Sequence, residues 1–377
     1  MRASAHRLFV LVFLAFIGGV PIFQAAFEKL VRHESPTVLE LFRRRPSGAN
    51  LRAFEKELDD GSLLGERLRH GFQLARWLAL RELGEKALVG RDGWTFYTPE
   101  ISYLAGPYFR DLRPDPALGD PVLAVVDLRR QLRARGVELL VIPVPSKPSI
   151  YPDRLSAWLA PGLPLAANTQ RLERELAGRG VKVLGLHQAF LEERQTHPAR
   201  SLYMKTDTHW TGEGALLAAE RIAAWVRSQS WYRRPAVPRY RRQALRVERR
   251  GDIPRMTRIP LEDRLFPLET VNCYQVRSLR DGAPYEDDPA SPILLLGDSF
   301  ARVFQTDEPE AAGLIANLAF ELQLPLASIV NDGGASTLVR QELARDPEQL
   351  RGKRLVIWLF AERDVRFGLQ GWQLIQL

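Results

Sequence analysis

The chain has 377 residues, 45% of them hydrophobic and 26% charged, which is enough apolar material for one large core or two ordinary ones and too much for a disordered chain. Its net charge of +8 is carried almost wholly by arginine, since only seven of the 53 basic residues are lysine. Cys273 is the only cysteine, which excludes an internal disulfide and any CxxC metal or redox motif.

In chain order, Arg2 and Arg7 precede Leu8 to Phe27, twenty residues without a charge. That length predicts a membrane helix, despite Pro21 and the Gly18-Gly19 pair. The small residues around Gln24-Ala25-Ala26 leave a cleaved signal peptide as the alternative. Lys29, Arg32 and Arg43 to Arg45 outnumber the preceding basic residues, so charge alone does not orient the segment. Glu28 to Asn50 reads as a stalk. Leu51, Phe54 and Leu58, then Leu64, Leu68 and Phe72, then Leu74, Trp77 and Leu78 recur at helical spacing and predict a helical hairpin or two amphipathic helices, broken at Gly61. The expected boundaries are therefore 1–27 for the anchor or signal, 28–88 for stalk and hairpin, and 89–377 for the remaining domain.

From Gly90 onward short apolar strands alternate with amphipathic helices. Helices are predicted over 122–135, 167–179, 214–227 with Thr211 as cap, and 311–322; strands are predicted over 137–145, 181–186, 293–296, 326–330 and 354–360. This alternation predicts an α/β fold with a mainly parallel sheet covered on both faces. The densest basic run, Arg233 to Arg258, holds ten arginines against two acids. It reads as a solvated, loop-rich face or a patch for an anionic polymer. No zinc-finger, helix-turn-helix or RNA-recognition pattern accompanies it, so nucleic acid is not expected as a partner.

In an open parallel sheet, reactive groups lie just past the carboxyl ends of the strands. Ser299, in Gly297-Asp298-Ser299 directly after an apolar run, falls at such a point as a candidate nucleophile, with helix capping as the bland alternative. Of the six histidines, His6, His33 and His70 lie outside the α/β region, and His187 and His197 have no adjacent carboxylate. His209 alone has Asp207 two residues before it, which in an extended segment puts both on one side. The division of labour is that of a Ser-His-Asp triad: His209 takes the proton of Ser299, and Asp207 fixes the imidazole tautomer. The alternative is that Asp207 and Thr208 cap a helix and His209 is a surface residue. No GxxxxGK[ST] or GxGxxG motif and no histidine cluster occurs, so neither nucleotide nor zinc is expected and no cofactor is required.

Two motifs, DTHW at Asp207 to Trp210 and GDSF at Gly297 to Phe300, make the chain similar to the AlgX/AlgJ-type alginate O-acetyltransferases, whose catalytic domain resembles the SGNH hydrolases. Supporting pieces are VGRDGWTFY at Val89 to Tyr97, VIPVPSKPSIYP at Val141 to Pro152, GDIPRM at Gly251 to Met256 and WLFAERD at Trp358 to Asp364. The resemblance covers about residue 86 to the C-terminus. It implies Ser299 as nucleophile, His209 as base and Asp207 as orienting acid, with Asp and His preceding the serine, unlike ordinary SGNH esterases. It also implies a periplasmic location on the inner membrane, an exopolysaccharide acceptor, and acetyl groups relayed by a multi-pass membrane acyltransferase. Of the family's forms, the one with an anchor and a catalytic domain only is the expected match.

Further candidates are expectations of lower specificity. The Ser299 amide is one natural oxyanion donor, and Asn331 and Gly333 in the NDGGAS stretch can supply others, although a glycine turn into a helix capped by Ser336 explains the same residues. Lys147 and Tyr97 are expected at the cleft or as structural residues. Trp94 and Trp210 are expected to stack on sugar rings or to lie in the core. Arg363 is expected to hold a carboxylate or to pair with Asp364. The rival functions are an acetyl esterase, which shares the acyl-enzyme and differs in whether water or a sugar hydroxyl resolves it, and a non-catalytic export scaffold with an idle triad, against which the intact Asp207, His209 and Ser299 weigh.

Overall fold

A computed structural model describes residues 2–39, 63–113, 118–368 and 370–377, with isolated positions between 43 and 54. It divides into two compact units, one of residues 1–82 with 258–260 and one of 83–257 with 261–377.

In the first unit the uncharged segment forms one helix, Arg2–Phe27, with Pro21 inside it. It runs on into a π-helical turn, Glu28–Arg32. The helix end is folded onto its own chain: the buried Glu28 carboxylate accepts from Gln24 Nε2 at 2.8 Å, from the Thr37 amide at 2.6 Å and from the Thr37 hydroxyl at 3.0 Å. Among the described residues no helix is long and apolar enough to cross a membrane. The expectation of a membrane-spanning helix therefore gains no support from the structure, although Pro21 and the Gly18-Gly19 pair are accommodated within one continuous helix. A second helix, Leu63–Leu80, forms where the latter arm of the hairpin is expected. Leu58 and Gly61, on which the first arm and the break were placed, lie outside the described residues.

The second unit is built on five parallel strands in the order β4-β3-β9-β7-β8. These are β3 (Glu138–Val144), β4 (Lys182–Val183), β7 (Ile293–Gly297), β8 (Ala327–Val330) and β9 (Leu355–Ala361). Successive side chains alternate between the two faces, which separates the core into two clusters. Leu140, Ile142, Leu295, Ile357 and Leu359 share one with the helices His187–Thr196, Gly212–Arg227 and Leu314–Leu322. Leu139, Val141, Leu294, Leu296 and Trp358 share the other with Pro121–Ala134, Ala167–Gly178 and Leu338–Arg345. Burial on both sides explains why the central strands read as unbroken apolar runs. Pro143 is tolerated in β3 because its missing N–H faces the β4 side, beyond the point where that two-residue edge strand has ended. The predicted strand 181–186 is correspondingly shorter than expected.

Two antiparallel pairs lie outside the sheet. A small one joins β1 (Ala87–Val89) and β2 (Thr95–Tyr97). The larger joins β5 (Tyr240–Arg249) and β6 (Glu269–Ser278) over ten matched residues. The basic run expected to be loop-rich thus contains a ten-residue strand, 240–249, and a short helix, 252–257, with loop on either side of the strand. The face of the strand is solvated, as expected, with Arg241 and Arg246 exposed, but its backbone is fully paired with β6. The end of this arm where Arg249 pairs with Glu269 reaches the site.

Candidate active site

Four strands deliver their following residues to one end of the sheet: Ser299 after β7, Asn331 after β8, Glu362 and Arg363 after β9, Ser146 and Lys147 after β3. Ser299 is the first residue of a short helix, Ser299–Arg302. The turn into it is tight, and a Cβ on Gly297 would lie 2.7 Å from that of Ala301, closer than two such atoms can pack. Asp298 fixes the turn, its carboxylate accepting from the Phe300 amide at 2.9 Å and from the Ala361 amide of β9 at 2.8 Å. Capping therefore falls to Asp298, which frees Ser299, half-buried at the sheet end, for contact with another group. The Ser299 amide occupies a helix-start position that has no acceptor within the helix.

The structure brings the other two predicted residues to it. His209 Nε2 lies 2.7 Å from Ser299 Oγ, and His209 Nδ1 lies 2.7 Å from Asp207 Oδ1. The expected reason for the Asp207–His209 pairing is corrected. The segment 205–209 is bent, not extended, and Asp207 Oδ1 accepts from the His209 backbone amide at 2.9 Å as well as facing its ring. An aspartate that bonds its own backbone two residues on makes a local turn, and here that turn aims the imidazole. Neither Asp207 nor Thr208 caps the next helix; Thr211 does, with its hydroxyl accepting from the Gly214 amide at 3.2 Å.

A bent segment leaves its backbone groups without ladder partners, and side chains take their place. Glu269, the first residue of β6, accepts from the Lys205 and Thr206 amides at 2.7 and 2.8 Å. Asp252 accepts from the Thr208 amide at 2.7 Å and its hydroxyl at 2.6 Å. Lys147 donates to the carbonyls of Met204, Lys205 and Asp207 at 3.1, 2.9 and 2.6 Å. Burial pushes the Lys147 ammonium down to about 8, against the pull of Glu100 and Asp207.

The geometry corrects several lesser candidates. Lys147 is fully buried and serves the backbone instead of lining a cleft. Trp210 is also fully buried, its ring edge-on to Phe300 at 5.1 Å and stacked on Phe190 at 6.4 Å, so no sugar can reach it. Trp94 is 5% exposed and packs on Tyr151. Arg363 has Glu100 as its main partner at 2.9 Å, with Asp364 at 3.9 Å. Its guanidinium lies over the rings of Tyr97 and Phe300, which places both Arg363 and Tyr97 against the wall of the site. Burial pushes Glu100 up to about 7 although Arg363 and Lys147 oppose the shift. Asn331 extends the β7–β8 ladder through its amide to Gly297 O at 3.0 Å, and Gly333 adopts a left-handed conformation, φ 66°, in the turn that follows. Both stay one strand over from Ser299. Ser336 is not a helix cap; its carbonyl accepts from the buried Arg340.

Burial alone would raise Asp207, but the His209 charge and the hydrogen bonds from its ring and amide hold the carboxyl near 2. Burial alone would lower His209, and the Asp207 charge and hydrogen bond, with Asp252 adding to them, raise it above its ordinary value. Asp207, His209 and Asp252 are also the one described group of acidic and imidazole side chains close enough to share an ion, within 4.8 Å. Those atoms are already engaged with each other and with the backbone. Beside the segment, Lys205, Arg154, Arg194 and Arg200 line a cleft of about 450 Å³ with Trp94 and Tyr151 at its wall.

Comparison with known families decides the class. Residues 87–362 match the family model described as the SGNH hydrolase-like domain of the acetyltransferase AlgX. The chain belongs to this family. It is similar to the probable alginate O-acetylase AlgJ of Pseudomonas fluorescens, 25% identical over 73% of this chain and 67% of that protein. It is likewise similar to the AlgJ of Azotobacter vinelandii, 22% identical over 82% of this chain and 78% of that protein. With the Pseudomonas aeruginosa AlgJ the match is 26% and spans 48% of this chain but only 43% of the relative. The O-acetyltransferase domain of Pseudomonas putida AlgJ shares the fold at a TM-score of 0.56 and 20% identity, over 74% of this chain and 91% of that one. Pseudomonas aeruginosa AlgX shares it at 0.53 and 17%, over 73% and 61%. Membership makes the chain an enzyme of the acetyltransferase class on an SGNH-like α/β fold.

Sequence reasoning passed over Asp252, Glu269, Glu100 and Asp298 as parts of the site. Asp252 had a signal, since it lies in GDIPRM, a piece of the AlgX/AlgJ resemblance. Glu269 and Glu100 had none, because only the folded chain brings them to the turn and to Arg363.

Proposed function

We propose that the chain O-acetylates hydroxyls of an exported polysaccharide through an acetyl-Ser299 intermediate. The observation that carries this reading is the continuous chain Asp207 Oδ1, His209 Nδ1, His209 Nε2, Ser299 Oγ, with both contacts at 2.7 Å. His209 accepts the Ser299 proton as Oγ attacks the acetyl carbonyl of the donor. The resulting oxyanion faces the Ser299 amide. His209 then returns the proton to the leaving group. In the second half a sugar hydroxyl gives its proton to His209, attacks acetyl-Ser299 and leaves as the ester, while the serine is regenerated.

A multi-pass membrane acyltransferase is the proposed source of acetyl groups. The proposed location is the periplasmic side of the inner membrane, with Leu8 to Phe27 as the exporting segment, retained or cleaved. Cell fractionation with N-terminal sequencing tests this: a mature chain starting near Phe27 means cleavage, and a cytosolic full-length chain removes the localisation.

The functional test is incubation of the protein with a chromogenic acetyl ester and oligosaccharides, read by mass spectrometry. Acetylated sugar is the expected product; free acetate alone, with sugar in excess, makes the enzyme an esterase. The pH dependence should follow His209. A base must be neutral to accept a proton, and its raised pKa requires higher pH for that state than the unperturbed value of about 6.5. The rate constant kcat/KM should therefore rise with pH on a limb above about 6.5, falling tenfold per unit below it. A flat profile between about pH 5 and about pH 8 excludes His209 as the base.

A further inference from the structure

The bent segment that carries His209 is clamped by a second one, Gly251-Asp252-Ile253, at the end of β5. The two run in close contact: the Ile253 amide donates to Thr206 O at 3.2 Å. A Cβ on Gly251 would lie 2.1 Å from that same oxygen, so only glycine permits the approach. The clamp brings in Asp252, whose amide donates to Asp207 Oδ2 at 3.2 Å and whose carboxylate takes both the amide and the hydroxyl of Thr208. Thr208 Oγ1 lies 3.3 Å from His209 Nδ1, and Asp252 Oδ2 lies 3.5 Å from it. The Thr208 hydroxyl proton is committed to Asp252, so the oxygen turns a lone pair toward the ring. The imidazole thus has Asp207 in line with its Nδ1–H and a second carboxylate behind it.

We propose that Asp252 is a positioning residue for the acyl-transfer reaction, locking the Asp207-Thr208-His209 turn and placing a second negative charge beside the imidazolium that forms when His209 takes the serine proton. This rests on the functional reading above. The other charged groups around His209 are Asp207, Asp298 and Arg363, with Arg249 behind Asp207 at 3.8 Å. Of these, Arg363 opposes the imidazolium and is itself paired with Glu100. Asp252 is the acid that contacts the base without accepting its hydrogen bond, so removing its charge leaves the in-line Asp207 contact standing.

The test follows hydrolysis of 4-nitrophenyl acetate by the full-length protein across pH. Asp252→Asn keeps an oxygen for the Thr208 amide and removes the charge. Its limb in kcat/KM should move down by about one pH unit, with kcat on the plateau about tenfold lower and KM for the small ester unchanged. A residue that merely supports the fold would lower the melting temperature and kcat without moving the limb, so an unmoved limb overturns the proposal. Asp252→Glu is the second variant and covers the case in which Asp252→Asn does not fold. It keeps the charge but cannot reproduce the two Thr208 bonds, so its limb should stay at the parental position while kcat falls. Parental kcat in Asp252→Glu overturns the lock, and a lowered limb there overturns the charge effect. Ser299→Ala in the same assay separates the two levels: turnover retained in that variant sinks the functional reading, whereas a dead Ser299→Ala with an unmoved Asp252→Asn limb sinks only the role of Asp252.

Discussion

Ser299→Ala is expected to abolish acetyl transfer while the protein stays folded. The variant removes the only atom that can carry the acetyl group in the proposed route, and loss of a triad nucleophile costs on the order of 10⁴-fold or more in turnover. The structural cost is small by comparison. Ser299 is half-buried, its hydroxyl faces His209, and the turn is held by Asp298 and the strands, not by the serine. Loss of one hydrogen-bonded hydroxyl at such a site changes stability by no more than about 1 kcal/mol. A strain whose sole copy is Ser299→Ala should secrete its polysaccharide without the acetyl esters this enzyme adds. An esterase predicts the reverse, an excess of acetyl groups. A scaffold predicts no chemical change from the point variant and a defect only on deletion of the whole chain.

Asp207→Asn should cost nearly as much activity, by a different route. The aspartate oxygens are all in use: Oδ1 takes the His209 amide and faces Nδ1, and Oδ2 takes the Asp252 amide at 3.2 Å. An asparagine can satisfy only one side. With its oxygen toward His209, its NH₂ meets the Asp252 N–H; with its NH₂ toward His209, it forces the tautomer in which Nε2 carries the proton and cannot accept one from Ser299. Turnover should fall by about 10³- to 10⁴-fold, as expected for a wrong-tautomer triad. Stability should fall by about 1–3 kcal/mol, because a buried donor is left unpaired in either orientation. Stopped assays and urea melts on the same preparation check both. Near-normal turnover with unchanged melting removes Asp207 from the site.

These residues were legible to different degrees, for physical reasons. Ser299 could be placed because a strand buried on both faces leaves an unbroken apolar run, and the polar residues after it mark its carboxyl end. Asp207 and His209 were paired correctly on an incorrect local conformation. Both an extended strand and an aspartate turn bring residues two apart together, so spacing did not discriminate between them. Lys147 and Trp210 show where residue type misleads. A lysine after a strand end and a tryptophan beside a histidine suggest ligand contact, and burial, which depends on the whole fold, turns both inward. Asp252 and Glu269 could not be assigned a role because they reach the histidine turn from the shared end of two paired strands, the first of which reads only as a basic, solvated run.

That strand pair gives the two halves of the proposed triad unequal footing. Every residue of β7, which presents the nucleophile, is buried, whereas no residue of β5 is. The base sits on a bent segment secured by the buried Lys147 and by Asp252 and Glu269 at one end of the more exposed arm, so part of its alignment draws on a weakly protected element. Loosening of the arm therefore acts on the histidine turn while the sheet and its serine still stand.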